Sequence, residues 1–209
     1  MTAIVDYGVG NLFSLVSSFE KIGETAVVTS DPAVLAAAGR VVLPGVGAFA
    51  DAIAKLNATG LVPVLEALAG AGKPLLGICL GMQLLFEKSY EYGEHTGLSL
   101  LKGRIVPLAD AVGKLKVPHM GWNALHFEKK NHPLFRYVKE GDCVYFVHSY
   151  YATGCETATV ATAEYGVAVT AAVADRHVMG CQFHPEKSGT VGLAILRNFA
   201  GMGEGTPVC

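Results

Sequence analysis

Lys73-Pro-Leu-Leu-Gly-Ile-Cys-Leu-Gly-Met-Gln83 is the stretch that decides the fold. Lys73–Ile78 is apolar on both faces, as a strand covered from above and below in a parallel sheet must be. Glycines two residues either side of Cys79 mark a tight junction, and a helix is predicted from Met82 to Lys88. Upstream, strand and helix patterns alternate. Strands are expected at Thr2–Asp6, Thr25–Thr29 and Arg40–Pro44. Between them lie a helical pattern over Asn11–Ile22 and an Ala-rich helix opened by the capping pair Asp31-Pro32; another helical pattern runs from Phe49 through Leu68. After Gly97 the pattern changes to strands without long helices: Gly103–Leu108, Trp122–Phe127, Asp142–Val147, Thr157–Thr162, Ala168–Ala174 and His177–Phe183. A last helix is expected at Val191–Phe199. The reading is one α/β domain over residues 1–200. Its central, mostly parallel sheet is flanked by helices, antiparallel strands are added in the second half, and 201–209 form a loose tail.

Composition narrows the function classes. The chain has 209 residues, 51% hydrophobic and only 16% charged, which excludes a disordered or fibrous protein and predicts a surface partly covered by a partner. Sixteen Lys and Arg against 18 Asp and Glu, without a basic run, argue against nucleic-acid or anionic-membrane binding. No stretch free of Asp, Glu, Lys and Arg exceeds 13 residues (Pro74–Phe86 is one), too short to span a bilayer. Asp6 interrupts the first apolar run and no basic flank precedes it, unlike a signal peptide. Five cysteines without a CxxC pair and seven histidines without ligand spacing suggest neither disulfides nor a metal. These features read as a reduced, cytoplasmic, soluble protein. Gly8-Val-Gly10 follows the first strand but lacks the third small residue of a dinucleotide fingerprint, and Gly45-Val-Gly47 follows Pro44 on the third strand rather than the first, so both read as tight turns.

Gly77-Ile-Cys79-Leu-Gly81 has the form of a nucleophile elbow with Cys in place of Ser. Its sulfur would stand above the sheet edge at a helix start, where free N–H groups favour a thiolate. A thiolate needs a base and an orienting acid. Among the histidines, His184 ends an apolar strand and is followed by Pro185-Glu186. In extended chain residues i and i+2 share a side, so Glu186 is placed to reach the His184 ring.

With those residues in hand, Gly77-Ile-Cys-Leu-Gly-Met-Gln83 and Gln182-Phe-His-Pro-Glu186 resemble the class I (triad) glutamine amidotransferases. Four segments are most similar to the glutaminase subunits of imidazole glycerol phosphate synthases, which serve histidine biosynthesis. These are Asp6-Tyr-Gly-Val-Gly-Asn11, Leu43-Pro-Gly-Val-Gly-Ala-Phe49, Pro118-His-Met-Gly-Trp-Asn123 and His184-Pro-Glu-Lys-Ser188. Pro44-Gly-Val-Gly47 stands where most triad relatives carry Pro-Gly-Gly.

The resemblance implies a flavodoxin-like core and no cofactor. It implies a triad of Cys79, His184 and Glu186 that releases ammonia from glutamine through a thioester. The oxyanion would take N–H groups from Leu80 and from the Gly45–Val46 strand, where glycines on both sides of Val46 make a peptide flip cheap. Gln83, Glu91, Ser149 and Tyr150 would grip the glutamine main-chain groups. Asn11, Trp122, Asn123 and Lys187 would border the docking face for a (β/α)₈ barrel cyclase, in a heterodimer. Alternatives stay open at this point: a glutaminase serving another synthase, such as that for pyridoxal phosphate, or a stand-alone cysteine-elbow ester or lactone hydrolase.

Overall fold

A computed structural model describes residues 1–203. Its first half is built from β1 (Thr2–Val5), α1 (Leu12–Lys21), β2 (Ala26–Thr29), α2 (Pro32–Ala37), β3 (Arg40–Leu43), α3 (Phe49–Ala58), α4 (Val62–Gly70), β4 (Leu75–Ile78) and α5 (Leu80–Leu84). The second half adds β5 (Phe86–Ser89), β6 (His95–Thr96), β7 (Leu101–Pro107), β8 (His119–Ala124), β9 (His126–Phe127), β10 (Cys143–His148), β11 (Tyr150–Thr153), β12 (Thr159–Glu164), β13 (Ala168–Asp175), β14 (Val178–Cys181) and α6 (Gly189–Ala200).

Eight strands form the main sheet in the order β2-β1-β3-β4-β14-β13-β12-β9. The β2-β1-β3-β4-β14 portion is parallel and the rest antiparallel. Successive side chains of a strand point to opposite faces. Ala3, Val5, Val41, Leu43 and Leu75 accordingly pack with Leu35, Phe49, Leu56 and Leu65 of α2, α3 and α4. Ile4, Val42, Leu76 and Ile78 pack with Leu15 and Phe19 of α1 and Ile195 and Phe199 of α6 on the other face. This is the layered α/β domain read from the sequence. Two smaller sheets, β10-β8 and β11-β7-β5-β6, flank it.

Several elements differ from expectation, each for a local reason. The single helix expected from Phe49 through Leu68 is two helices meeting at 88°. Gly60 at φ +71° breaks it, and Pro63 restarts it in the first turn of α4, where a missing N–H costs nothing. The helix expected over Met82–Lys88 is instead the five-residue α5 followed by strand β5, whose Phe86 and Ser89 are buried and whose Glu87 and Lys88 are exposed beside β7. β8 begins three residues before the expected strand. Met202, expected in the loose tail, is 2% exposed, and its carbonyl accepts from Arg40 Nε at 3.0 Å. The remainder of that expected tail, 204–209, lies outside the described residues.

Close packing fixes the glycines around Cys79. A Cβ on Gly81 would sit 1.9 Å from the Leu43 carbonyl oxygen, and one on Gly77 would sit 2.6 Å from Met82 Cα. Both neighbours are backbone, which cannot yield cheaply. Gly81→Ala is therefore expected to destabilise by about 3 kcal/mol, a drop of roughly 6–12 °C in Tm for a domain of this size. Gly70 meets nothing within 4 Å at the end of α4, so Gly70→Ala is expected to leave Tm unchanged or raise it slightly. Thermal melts of the two variants check the contrast.

Candidate active site

Three adjacent parallel strands deliver the site. Pro44–Gly47 follows β3, Cys79 follows β4 and His184 lies beyond the end of β14, so all three leave the sheet at its carboxyl edge. Open α/β sheets place their ligand sites at this edge. Cys79 has φ +54°, a strained left-handed conformation that turns its side chain out of the strand direction. Its N–H is held by the Cys181 carbonyl at 2.7 Å, while its own carbonyl accepts from Gln83 N–H at 3.2 Å to close the first turn of α5. Five residues make a weak helix dipole, so the expected help to a thiolate comes from local groups more than from the helix.

The two glycine turns are explained by packing against this elbow. Gly10, at φ +117°, lies where a Cβ would be 2.8 Å from Pro44 Cβ, and a Cβ on Gly45 would be 2.5 Å from Gly81 N. Tyr7, buried beneath them, donates its hydroxyl to the Pro44 carbonyl at 2.7 Å, and burial next to Cys79 pushes its pKa up.

His184 Nδ1 lies 2.8 Å from Glu186 Oε1, with both side chains at 3% exposure or less. Pro185 carries the chain from the extended His184 into a short 3₁₀ turn, which places the acid two residues on. His184 N–H donates to the Tyr145 carbonyl at 2.9 Å, and Ser188 Oγ ties the same turn to β10 by accepting from Tyr145 N–H at 3.0 Å. Burial alone would lower the His184 pKa. The hydrogen bonds and charges of Cys79 and Glu186 outweigh it and raise the value to about 9, so His184 holds a proton at neutral pH. Glu186 Oε2 is buried with no hydrogen-bond partner among the described residues, leaving His184 as the acid's polar contact.

Around Cys79 and His184 opens a cleft of about 340 Å³, lined in part by Val46, Leu80, Gln83, Glu91, Ser149, Tyr150 and Lys187. These are expected site residues; Gly45 packs behind the elbow and Glu186 behind His184. Gln83 Nε2 donates to the Tyr150 carbonyl at 3.0 Å and to Gln182 Oε1 at 2.9 Å. Both its protons are thus spent on the wall, and its carbonyl oxygen is left to accept from a guest. Glu91 Oε2 accepts from Phe49 N–H at 2.6 Å, and burial raises its pKa.

On β8, Trp122 is 55% exposed and Met120 60% exposed. The Trp122 ring stands edge-on to Tyr145 at 5.9 Å, and Lys187 Nζ lies 6.0 Å above that same ring. Asn11 caps α1, its Oδ1 accepting from Ser14 N–H at 3.4 Å, and Asn123 Oδ1 faces His119. Of the four residues expected at the docking face only Lys187 lines the cleft; Asn11, Trp122 and Asn123 do not.

Sequence reasoning missed Gln182, Val147, Pro118 and His148. Gln182 Nε2 approaches Cys79 Sγ at 3.8 Å; it adjoins the His-Pro-Glu run, and that adjacency was the available signal. Val147 O lies 4.0 Å from the same sulfur, while Pro118 and His148 line the cleft. Pro118 opens the Pro118–Asn123 segment, which was its signal, whereas nothing in the local sequence marks Val147 or His148.

A strained cysteine facing a carboxylate-held imidazole in a pocket with a buried acid has the form of a cysteine-nucleophile hydrolase, and the chain matches the family described as Glutamine amidotransferase class-I over residues 3–201. It belongs to that family. One relative, "Imidazole glycerol phosphate synthase subunit HisH" of Bacillus licheniformis, is 52% identical over 203 residues, 95% of each chain. A protein of the same name from Syntrophotalea carbinolica is 49% identical over 207 residues, covering 97% of this chain and 100% of its own. At these identities the chain belongs, within that family, with the imidazole glycerol phosphate synthase subunits HisH. A solved structure titled as a glutamine amidotransferase shares the fold, with TM-score 0.74 at 16% identity over 96% of this chain and 99% of that one.

Glu186→Gln tests the orienting acid. The amide keeps the shape but removes the charge, so glutaminase turnover is expected to fall about 10²-fold. A pH signature should accompany it. A pKa raised from 6.5 to about 9 in the fold contributes stability that is complete below pH 6.5 and is lost as pH rises through 9. Wild-type Tm should therefore drop between pH 6.5 and 9 more steeply than that of Glu186→Gln. Undiminished turnover would rule out Glu186 as the orienting acid.

Proposed function

We propose that this chain hydrolyses L-glutamine to glutamate and ammonia, and passes the ammonia to a (β/α)₈ barrel cyclase in a heterodimer. The cyclase converts the phosphoribulosyl-formimino carboxamide substrate to imidazole glycerol phosphate and the aminoimidazole carboxamide ribotide AICAR, in the cytoplasm. The observation that carries the reading is the buried His184–Glu186 pair, 2.8 Å apart, in the same cleft as the strained Cys79.

Cys79 Sγ attacks the side-chain amide carbon of glutamine, and the C–N bond breaks as His184 gives its proton to the departing nitrogen. Ammonia leaves, and Cys79 holds a γ-glutamyl thioester. His184 then takes a proton from water, whose oxygen adds to the thioester and frees glutamate. Glu186 holds the imidazole in the tautomer with Nδ1–H. Leu80 N–H and the N–H of the Gly45–Val46 strand receive the oxyanion. The Gln83 carbonyl, Glu91 and the Ser149–Tyr150 backbone grip the main-chain ends of the substrate. Asn11, Trp122, Asn123 and Lys187 border the docking face, with Trp122 as its aromatic anchor.

Product stoichiometry tests this reading. The complex with the cyclase should release one glutamate for each imidazole glycerol phosphate made. Synthesis from glutamine without glutamate release would reject it.

A further inference from the structure

A buried polar chain runs from the exposed strand β8 into the cleft. Asn123 Nδ2 donates to the Glu164 carbonyl at 3.0 Å, which turns its Oδ1 toward His119 Nε2 at 2.8 Å. His119 Nδ1 meets His148 Nε2 at 3.0 Å, and His148 Nδ1 meets the Tyr150 carbonyl at 2.9 Å. That carbonyl also receives Gln83. The His119 ring is clamped between Phe146 and Tyr165, at centroid distances of 4.8 and 4.0 Å. The His119 ring is thus held on both faces, and the His148 ring is buried against Phe146 at 5.7 Å.

Counting protons along this chain exposes a deficit. Both ends are acceptors, so three contacts need three protons, whereas two neutral imidazoles carry two. Burial lowers the pKa of both rings. For His148 it prevails over the bond to the Tyr150 carbonyl, and with the charges of His119 and His184 it brings the value to about 3. The pair is therefore neutral at pH 7, and one contact always sets lone pair against lone pair. The central contact is the worst place for it, because both nitrogens belong to buried rings. Two arrangements remain. In the first, both rings carry Nδ1–H, so His148 holds the Tyr150 carbonyl and the deficit falls at Asn123. In the second, both carry Nε2–H, so His119 donates to Asn123 and the Tyr150 carbonyl keeps only Gln83. Exchange between them moves one proton per ring from Nδ1 to Nε2 through water, and the total stays at two.

We propose that His119 and His148 are positioning residues, a two-proton relay by which the Asn123 amide on the exposed strand sets how firmly the Tyr150 carbonyl is held in the cleft. The proposal rests on the reading of that cleft as the glutamine site. It gives the His-Met-Gly-Trp-Asn segment a task inside the molecule. A group engaging Asn123 from outside shifts the tautomers, because the two arrangements differ in what they ask of its oxygen.

Nitrogen-15 NMR of the ¹⁵N-histidine-labelled full chain reads the relay without substrate. The wild type at pH 7 should show neutral His119 and His148 rings with Nδ1 and Nε2 shifts averaged between tautomers. Asn123→Ala removes the acceptor for Nε2–H and should move both rings to the Nδ1–H form. In the complex, His119→Phe keeps the ring stack but removes both nitrogens, and should raise KM for glutamine about tenfold with kcat changed less than threefold. Imidazolium shifts at pH 7, unchanged shifts in Asn123→Ala, or an unchanged KM in a normally melting His119→Phe would each overturn the relay. If the shifts move as expected but the wild-type complex does not hydrolyse glutamine, the reading of the cleft is what fails.

Discussion

Cys79→Ala is expected to reduce glutamine-dependent synthesis by the complex to background, while synthesis from added ammonium salts continues at its normal rate. In the proposed mechanism the substitution removes the one atom that bonds to substrate, and among the described residues no other thiol is placed to replace it: Cys155 and Cys181 are buried in the two cores, and Cys143 lies on the surface at the start of β10. Burial also raises the pKa of Cys155 and Cys181, which keeps them as thiols. Alanine fits the elbow because the strained backbone is held by Gly77, Gly81 and the Cys181 carbonyl rather than by the sulfur. The variant should therefore fold and still dock on the cyclase. Assays with the two nitrogen sources, run side by side, decide the matter. Loss of both reactions would make Cys79 a structural residue.

The second large effect is expected without any substitution. The isolated chain should bind glutamine yet hydrolyse it about 10²–10³-fold more slowly than the complex, the effect of one missing oxyanion donor. Val46 stands at the cleft mouth, 43% exposed, between Gly45 and the left-handed Gly47 at φ +94°. A peptide between two glycines turns over at little cost, and with its carbonyl facing Cys79 it offers an acceptor where a donor is needed. Docking favours the productive orientation only if the partner binds that state more tightly. Lys187, exposed, lining the cleft and lying over the Tyr145 ring, is the residue we propose to carry this preference to an acid on the partner. Lys187→Ala should then cut the activation by the cyclase more than it weakens glutamine binding. Steady-state ammonia release, with and without the cyclase, measures both. Equal rates for the lone chain and the complex would end this account of the glycine strand.

What was legible in the sequence is what the backbone geometry itself demands. The elbow could be read because only glycine tolerates a neighbour's backbone at the positions of Gly77 and Gly81. The parallel strands could be read because burial on both faces leaves an uninterrupted apolar run. Glu186 could be placed against His184 because two extended residues share a side. Where tertiary pairing decides, the reading faltered. Phe86–Ser89 has helix-like spacing with the residues before it, and only the partner strand β7 makes it a strand. The sequence pattern gives a strand over Asp142–Val147 and no further strand before Thr157. In the fold the chain changes sheets at Ser149, pairing with β8 before it and β7 after it. His148 escaped notice for the same reason. Its meaning depends on His119, 29 residues away, which no local pattern links to it.

The proposed hydrolysis requires a covalent bond between Cys79 Sγ and the glutamine side-chain carbon. Acid-quenching the wild-type complex during turnover, then mapping its peptides by mass spectrometry, tests for that bond directly. The predicted result is a γ-glutamyl adduct on the peptide bearing Cys79, absent from Cys79→Ala. Continued glutamate formation with no adduct on that peptide, or with the adduct on another residue, would contradict it.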